Sequence, residues 1–350
     1  MEKGDRRAGK KVKKVRTNRS EVSHTLNDLF TIFYESKEAE GRSYGTLHQY
    51  QLNYQSFIRY LEAKQLGFTT DVITADVIRK YIVYMMKEAV QFEESKFKPT
   101  KSKIIGLSPV TINTRLKTLR VLFKFLEEEG LIGFNPMNSI KNVTENEEQI
   151  EVLTIDELNS LLRVPNQRDY SGFRDFVLMN ILIDGMTRIS ETLALKVSDI
   201  DFHSQIITIQ AKNAKNRKSR LIPIQKQSLQ LLKELIVENE EFDSDFVFLT
   251  NYGERMQRNH FGKRLKEYAE EAGIKKNVHP HLFRHTSATM FLENGGDIRH
   301  LQMLLGHSDL RMVIKYTHLS TKSLVEQHKQ YSAMGQLSRI SKKQKRKSLR

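Results

Sequence analysis

Residues 279–320, HPHLFRHTSATMFLENGGDIRHLQMLLGHSDLRMVIKYTHLS, gather a guanidinium, two imidazoles and a phenol in one short span: His281, Arg284, His307 and Tyr316. Arginine cannot lose its charge, imidazole donates or shuttles protons near neutral pH, and a phenol can act as a nucleophile. The set is suited to attack on a phosphate ester. The apolar spacing turns the same stretch into helices. His281 and Arg284 lie three apart and share a helical face, with Leu282, Phe283, Ala288, Phe291 and Leu292 available for an apolar side. Asn294, Gly295 and Gly296 stop that helix. Ile298, Leu301, Leu304 and Leu305 recur with helical period up to Gly306, which leaves His307 just past a helix end. Ser308 or Asp309 can cap a third short helix carrying Val313 and Tyr316 on one face.

The segments HLFRH, LLGH and YTH, in this order and spacing, resemble the second conserved box of the tyrosine recombinase (phage integrase) family. The resemblance implies a partner motif upstream, an Arg followed three residues later by an acid. DGMTRISETLALKVSDID, residues 184–201, resembles it and puts Arg188 and Glu191 in those places. Where the family usually has Gly two residues before the arginine, this chain has Met186, with Gly185 one earlier. Away from the downstream box, such an Arg and Glu pair would more often be a surface ion pair worth a few tenths of a kcal/mol.

Length and composition set the bounds. The 350 residues, 39% of them hydrophobic, can bury a sizeable core and suggest two domains. No run of apolar residues is long enough for a membrane span, and the first twenty residues have no apolar centre of a secretory signal. The absence of cysteine excludes disulfides and thiol chemistry, and no structural zinc site or other cofactor is expected. His281 and His285, four apart, could be read as a zinc helix, but no acid lies between them and no third ligand is evident. His300 and His318 read as structural. A cytoplasmic protein is the expectation.

The formal charge of +15 invites a nucleic-acid reading, yet its distribution matters more. Residues 1–20 hold nine Lys or Arg against two acids and residues 339–350 hold seven against none, so the tails account for all but +1 of the total. They can be solubilising ends or phosphate-contacting arms.

Residues 21–136 read as an all-helical domain. Leu47, Tyr50, Tyr54, Phe57, Ile58 and Leu61 line one helix face, Thr74 can cap a helix through Ile78, Tyr81, Ile82 and Met85, and Ser108 with Pro109 can open another. That last helix turns Ile112, Leu116, Leu119, Leu122 and Leu126 inward, and Arg115, Lys117, Arg120 and Lys124 are assigned to its outer face. This outer face is a solvated basic surface or a groove-facing one. Residues 91–107 lack a pattern and read as a loop. The region resembles the SAM-like core-binding domain of the same family, and a polar linker over residues 137–152 follows it.

The second domain, residues 153–320, opens on a capping-box pattern at Thr154 and Glu157. It continues through a nearly continuous apolar stretch, Phe173 to Ile183, that must be buried. Ile206, Ile207 and Ile209, then Leu221, Ile222 and Ile224, signal a hairpin whose tip carries Lys212, Lys215, Arg217, Lys218 and Arg220. A helix over residues 226–238, a strand over Phe246–Leu249 and a helix near Arg258–Ala272 complete the domain. The expected fold is mainly α with a small antiparallel β-sheet, arranged as a two-domain DNA clamp.

The resemblance implies a site-specific DNA recombinase that cleaves and rejoins strands through a 3′-phosphotyrosyl intermediate. Tyr316 would be the nucleophile, Arg188 and Arg284 the phosphate clamps, His281 the proton acceptor and His307 a hydrogen-bond donor to the phosphate. Lys215, or its competitor Lys212, would be the general acid, and Glu191 would orient its neighbours. None of these roles requires a metal. DNA contacts are expected from Arg115, Lys117, Arg120, Lys124, Lys212, Arg217, Lys218 and Arg220. Double-stranded DNA is the implied partner, bound by a homo-tetramer on two sites, with residues 321–338 as a helix that docks on a neighbouring protomer or packs within its own chain. The long tails, the 91–107 loop and the hairpin favour an integrase or transposase of a mobile element. A Xer-type chromosome or plasmid dimer resolvase, a type IB topoisomerase and a DNA-binding regulator without chemistry are the competing readings.

Overall fold

The computed structural model describes residues 25–90, 104–145, 151–214 and 216–314, together with Tyr316, Val325, His328, Lys329, Ser332 and Ala333. Lys215, His318, both basic tails and most of the expected terminal helix and 91–107 loop lie outside the described residues. The chain divides into two compact units at residues 147/148.

The first unit is helical: α1 (Leu26–Ala39), α2 (Tyr44–Ala63), α3 (Ala75–Lys87) and α4 (Pro109–Glu128). Local chemistry sets the starts. Thr25 and Asp28 form a reciprocal capping box on α1, and the Thr74 and Ser108 hydroxyls accept from Val77 and Thr111 backbone N–H groups. Helix α4 packs against the other three, burying Ile112, Leu116, Leu119, Leu122 and Leu126 against Phe57, Leu61, Ile78, Tyr81 and Met85. Phe30 stacks flat on Tyr54 at 3.8 Å.

Two expectations for this unit need correction. Residues 137–143 are not linker: Met137 and Ile140 are buried in the helical core, and Asn113 exchanges two hydrogen bonds with the Val143 backbone, both 2.9 Å. Arg115 is not on the outer face. Helical positions advance about 100° each, so Arg115 and Lys117 point to nearly opposite sides, and Arg115 is half-buried beside the Tyr81 hydroxyl.

The second unit has a three-stranded antiparallel sheet, order β1-β2-β3, and eight α-helices among its described residues. The helices are α5 (Ile155–Arg163), α6 (Tyr170–Gly185), α7 (Ile189–Thr192), α8 (Lys226–Glu238), α9 (Arg258–Glu271), α10 (Pro280–Glu293), α11 (Ile298–Leu305) and α12 (Arg311–Ile314). The capping box at Thr154 forms as its pattern predicts. Helix α6 packs against α8 and α10 and buries Phe173, Val177, Leu178, Met179, Ile181 and Leu182, which explains its lack of a polar face.

Strands β2 (Ile206–Ile209) and β3 (Arg220–Pro223) form the expected hairpin, with Ile207 opposite Ile222 and Ile209 opposite Arg220. Strand β1 (Ile200–Asp201) adds a short edge that the sequence did not announce. The expected strand over Phe246–Leu249 does not form. Phe246 bridges to Lys196 and Leu249 to Arg255, so the two ends pair with different segments and no ladder builds, although Val247, Phe248 and Leu249 are fully buried. The third helix of the opening stretch spans only α12, and Tyr316 sits two residues beyond it, its N–H bonded to Val313 O at 2.9 Å. No helix among the described residues is long and apolar enough to cross a membrane.

Candidate active site

Helix α6 ends at Met186, whose backbone is left-handed at φ 49°, ψ 27°. A side chain there is tolerated at a cost of roughly 1–2 kcal/mol, so the chain makes without glycine the turn that delivers Arg188. Gly185 is small for a separate reason: an added Cβ would lie 3.2 Å from Ile224 Cδ1 and 3.4 Å from Ile222 Cγ2.

Arg188 caps α7 and Glu191 lies in its first turn. The Glu191 carboxylate, fully buried, accepts from the Arg188 backbone N–H at 2.9 Å and from Arg188 Nη1 at 2.8 Å. It also takes the fork of Arg220, Nη1 at 3.2 Å and Nη2 at 2.6 Å. Burial alone would push this carboxyl up, but Arg220 and then Arg188 hold it below the ordinary carboxylate range.

Arg220 was expected among the DNA contacts at the hairpin tip, and the structure places it elsewhere. Only 9% of its side chain is exposed, and its Nε donates to Leu304 O at 3.0 Å. Its fork is filled by Glu191, so it ties β3 to the end of α11. Gly306 permits that closeness, with φ at 62° and an added Cβ only 2.9 Å from Arg220 Cδ. Asn216 Nδ2 adds a second tie to Gly306 O at 3.1 Å.

Arg284, 3% exposed, rises from α10 into the same place. Its Nη1 donates to Met186 O at 2.6 Å and its Nη2 to Leu305 O at 2.5 Å, so one guanidinium satisfies carbonyls at the ends of α6 and α11. Nη2 also lies 3.1 Å from His307 Nε2. Burial, and next the like charge of Arg188, push Arg284 down to about 10, which still leaves it cationic at neutral pH.

Tyr316 is 3% exposed, packed with Met186, Ala288, Leu292, Leu301, Leu305 and Val313. Burial raises its pKa, while the charges of Arg284 and Arg188 pull the other way. The expected acceptor of its proton was His281, but the imidazole at its hydroxyl is His285, Nδ1 to Oη 2.9 Å. His281 instead lines a concavity of about 290 Å³ with Arg188, Ser190, Asn213, Ala214 and Arg258. Desolvation, then the charges of Arg284, His279, Arg188 and Arg258, hold His281 below its usual value.

The structure thus brings Arg188, Glu191, His281, Arg284, His307 and Tyr316 to one site. Lys212, Arg217 and Lys218 are exposed, and Lys215 lies outside the described residues. In the first unit, Lys117, Arg120 and Lys124 share a shallow concavity with Asn142 and Glu145; Lys117 and Lys124 are exposed, whereas Arg120 donates to Ile140 O at 3.3 Å and Asn142 Oδ1 at 3.1 Å. Among the described residues no group of three His, Cys, Asp or Glu side chains could hold a metal ion. Sequence reasoning missed Arg258 and weighed His285 only as half of a zinc pair with His281. Its place beside Tyr316 depends on how α11 and α12 fold back.

Two family profiles match this chain. The Phage integrase family covers residues 151–323 and the Phage integrase SAM-like domain covers residues 25–143. Tyrosine recombinase XerD of Listeria monocytogenes serovar 1/2a is 32% identical over 315 residues, 87% of this chain and 99% of that protein. Tyrosine recombinase XerC of Chlamydia caviae is 29% identical over 273 residues, 77% of this chain and 81% of that protein. Among solved structures, Tn1549 transposon integrase in complex with a circular intermediate DNA aligns at TM-score 0.69 and 21% identity, covering 88% of this chain and all of that one. XerH recombinase bound to palindromic difH substrate aligns at TM-score 0.66 and 20% identity, covering 87% and 84%. These two likenesses show the shared fold.

Proposed function

The chain belongs to the phage integrase family of tyrosine recombinases, and we propose that it cleaves and rejoins DNA through a 3′-phosphotyrosyl intermediate, as the integrase of a mobile element. One observation carries the chemical part: Tyr316 Oη lies within the field of two guanidiniums, Arg284 and Arg188, and of these only Arg188 pairs with a carboxylate among the described residues. A pentacoordinate phosphorus is more negative at its equatorial oxygens than the diester, and fixed donors aimed there lower the barrier. Arginine suits the task because its planar fork grips two oxygens and stays charged.

In this reading the Tyr316 oxygen attacks phosphorus, the bond to the 5′ oxygen breaks, and that oxygen takes a proton from Lys215, with Lys212 as its competitor. His307, held at Arg284, and His281, on the Arg188 side, add donors around the phosphate. Glu191 aims Arg188. A 5′ hydroxyl from a second strand then reverses the step. Four copies on two duplexes would pair the cuts, and residues 321–338 would link neighbouring copies.

The mobile-element role rests on the basic tails, the 91–107 segment and the long hairpin tip. A Xer-type dimer resolvase is the second reading, favoured by the match along 99% of the Listeria XerD chain. Covalent trapping on a library of DNA fragments, with sequencing of the attachment points, tests both. Two unlike sites flanking a transferable segment support the integrase, a single near-palindromic chromosomal site supports the resolvase, and no covalent DNA contradicts both.

A further inference from the structure

Helix α10 carries two imidazoles one turn apart, flanking Arg284, and they serve different sides of the site. His281 opens toward Arg188, Asn213 and Arg258. His285 is half-buried and meets the phenol: Nδ1 to Oη is 2.9 Å and the rings are 5.6 Å apart, tilted by 42°. We propose that His285 takes the phenolic proton of Tyr316 as its oxygen attacks phosphorus. This rests on the reading of Tyr316 as the nucleophile.

The distance is within the reach a proton acceptor requires. For the phenol to donate, Nδ1 must be bare and the ring proton must sit on Nε2. Bulk water is a poor competitor, because Tyr316 is 3% exposed and walled by Leu301, Leu305 and Val313. The proton inventory closes without any further reagent. The O–H bond of Tyr316 breaks, Nδ1 gains the proton, the phosphotyrosyl bond forms, and the leaving 5′ oxygen is protonated from the hairpin side. When the 5′ hydroxyl returns, the imidazolium gives the proton back to the departing tyrosine.

Burial is what favours the proton on Tyr316 in the free protein, since it raises the phenol's pKa against the pull of Arg284 and Arg188. An imidazolium at His285 would stand next to Arg284, whose own charge is already crowded by Arg188. A bound phosphate offsets those cations and makes room for one more. His281 instead lines the concavity with Arg188, Ser190, Asn213 and Arg258, where Arg284 and Arg188 act on it as like charges.

The experiment uses the full chain and a nicked duplex carrying an attachment point mapped by fragment trapping, with single-turnover adduct formation and DNA retention measured side by side. His285→Ala should slow adduct formation by about 100-fold or more, the usual share of a general base, with retention changed less than about 3-fold. His285→Asn, which can still hydrogen-bond the phenol but cannot accept its proton, should be nearly as slow. Added imidazole should restore His285→Ala by about 10-fold and leave His281→Ala unrestored. Adduct formation by His285→Asn within about 3-fold of the wild type would reduce His285 to a prop and overturn the proposal. Rescue of His281→Ala but not His285→Ala by imidazole would also overturn it. Retention and thermal melting identify a variant that fails to fold, and the imidazole response, read on the same protein, then decides. If the wild type itself forms no adduct, the nucleophile reading fails instead.

Discussion

Two tyrosines of the second unit, Tyr316 buried and Tyr268 half-buried, each sit with arginines, and in the proposed chemistry only Tyr316 reacts. Tyr268 donates to Asp175 at 2.9 Å, and that carboxylate also takes Arg264 and Arg174, whose remaining Nη1 goes to Leu249 O at 2.8 Å. Burial and the negative charge of Asp175 push Tyr268 up to about 12. At Tyr316 the same residue types are arranged with the opposite sign: an imidazole in place of a carboxylate at the hydroxyl, and cations that favour the phenolate. One carboxylate, Glu191, serves Arg188 and Arg220, while Arg284 leans on carbonyls that leave its charge intact. A closed cluster spends its cations on a neighbouring anion; a catalytic one holds a surplus beside space that an anion can enter.

The largest test of this contrast is a pair of hydroxyl deletions. Tyr316→Phe should abolish covalent attachment to DNA, whereas Tyr268→Phe should keep the rate within about 3-fold and lose roughly 1–2 kcal/mol of stability; denaturant melts and adduct gels read both. Next, Arg188→Ala or Arg284→Ala should cut strand cleavage by about 10²–10³, as removal of a transition-state donor does. Arg174→Ala should instead destabilise by roughly 3–5 kcal/mol and leave the rate of the folded fraction unchanged. Equal catalytic damage from Arg174→Ala and Arg188→Ala would erase the distinction.

Arg220→Ala probes the hinge between structure and chemistry, because it takes two of four hydrogen bonds from a buried carboxylate and leaves Arg188 to pair it, at a cost of about 1.5–3 kcal/mol. Glu191 lies below its unfolded value, so it contributes stability above about pH 4.3 and loses it as pH falls through the folded value. The gap in stability between the wild type and Arg220→Ala should therefore narrow in acid. A gap that widens below pH 4 would contradict this pairing. The smallest expected effect is on the first unit: Lys117→Ala and Lys124→Ala should each lower the salt dependence of DNA binding by about 0.9 for every phosphate left without its cation. Arg115→Ala, half-buried by Tyr81, should leave that slope alone.

Local rules carried much of the fold. The caps at Thr74, Ser108 and Thr154, the periodic faces of α2 and α4 and the β2–β3 hairpin depend on neighbours in sequence, and each formed where its pattern lay. What was not legible depends on distant partners. Met137 and Ile140 look like linker residues until the helical core is there to cover them. Val247, Phe248 and Leu249 have strand composition but find no partner along their length. Arg220 reads as one more basic residue of the tip, and only the approach of Leu304 and Glu191 turns it inward. The candidate site was legible through Arg188, Glu191, His281, Arg284, His307 and Tyr316, which the fold gathers. The proton partner of the phenol was not, since choosing between His281 and His285 requires knowing which side of α10 Tyr316 reaches.

The most direct measurement is to trap the protein on a nicked duplex, digest the adduct and locate the nucleotide by mass spectrometry. The account predicts a nucleotide bonded through phosphate to the Tyr316 oxygen, and none on any peptide of Tyr316→Phe. Attachment at another side chain, or strand joining that persists in Tyr316→Phe, would contradict it.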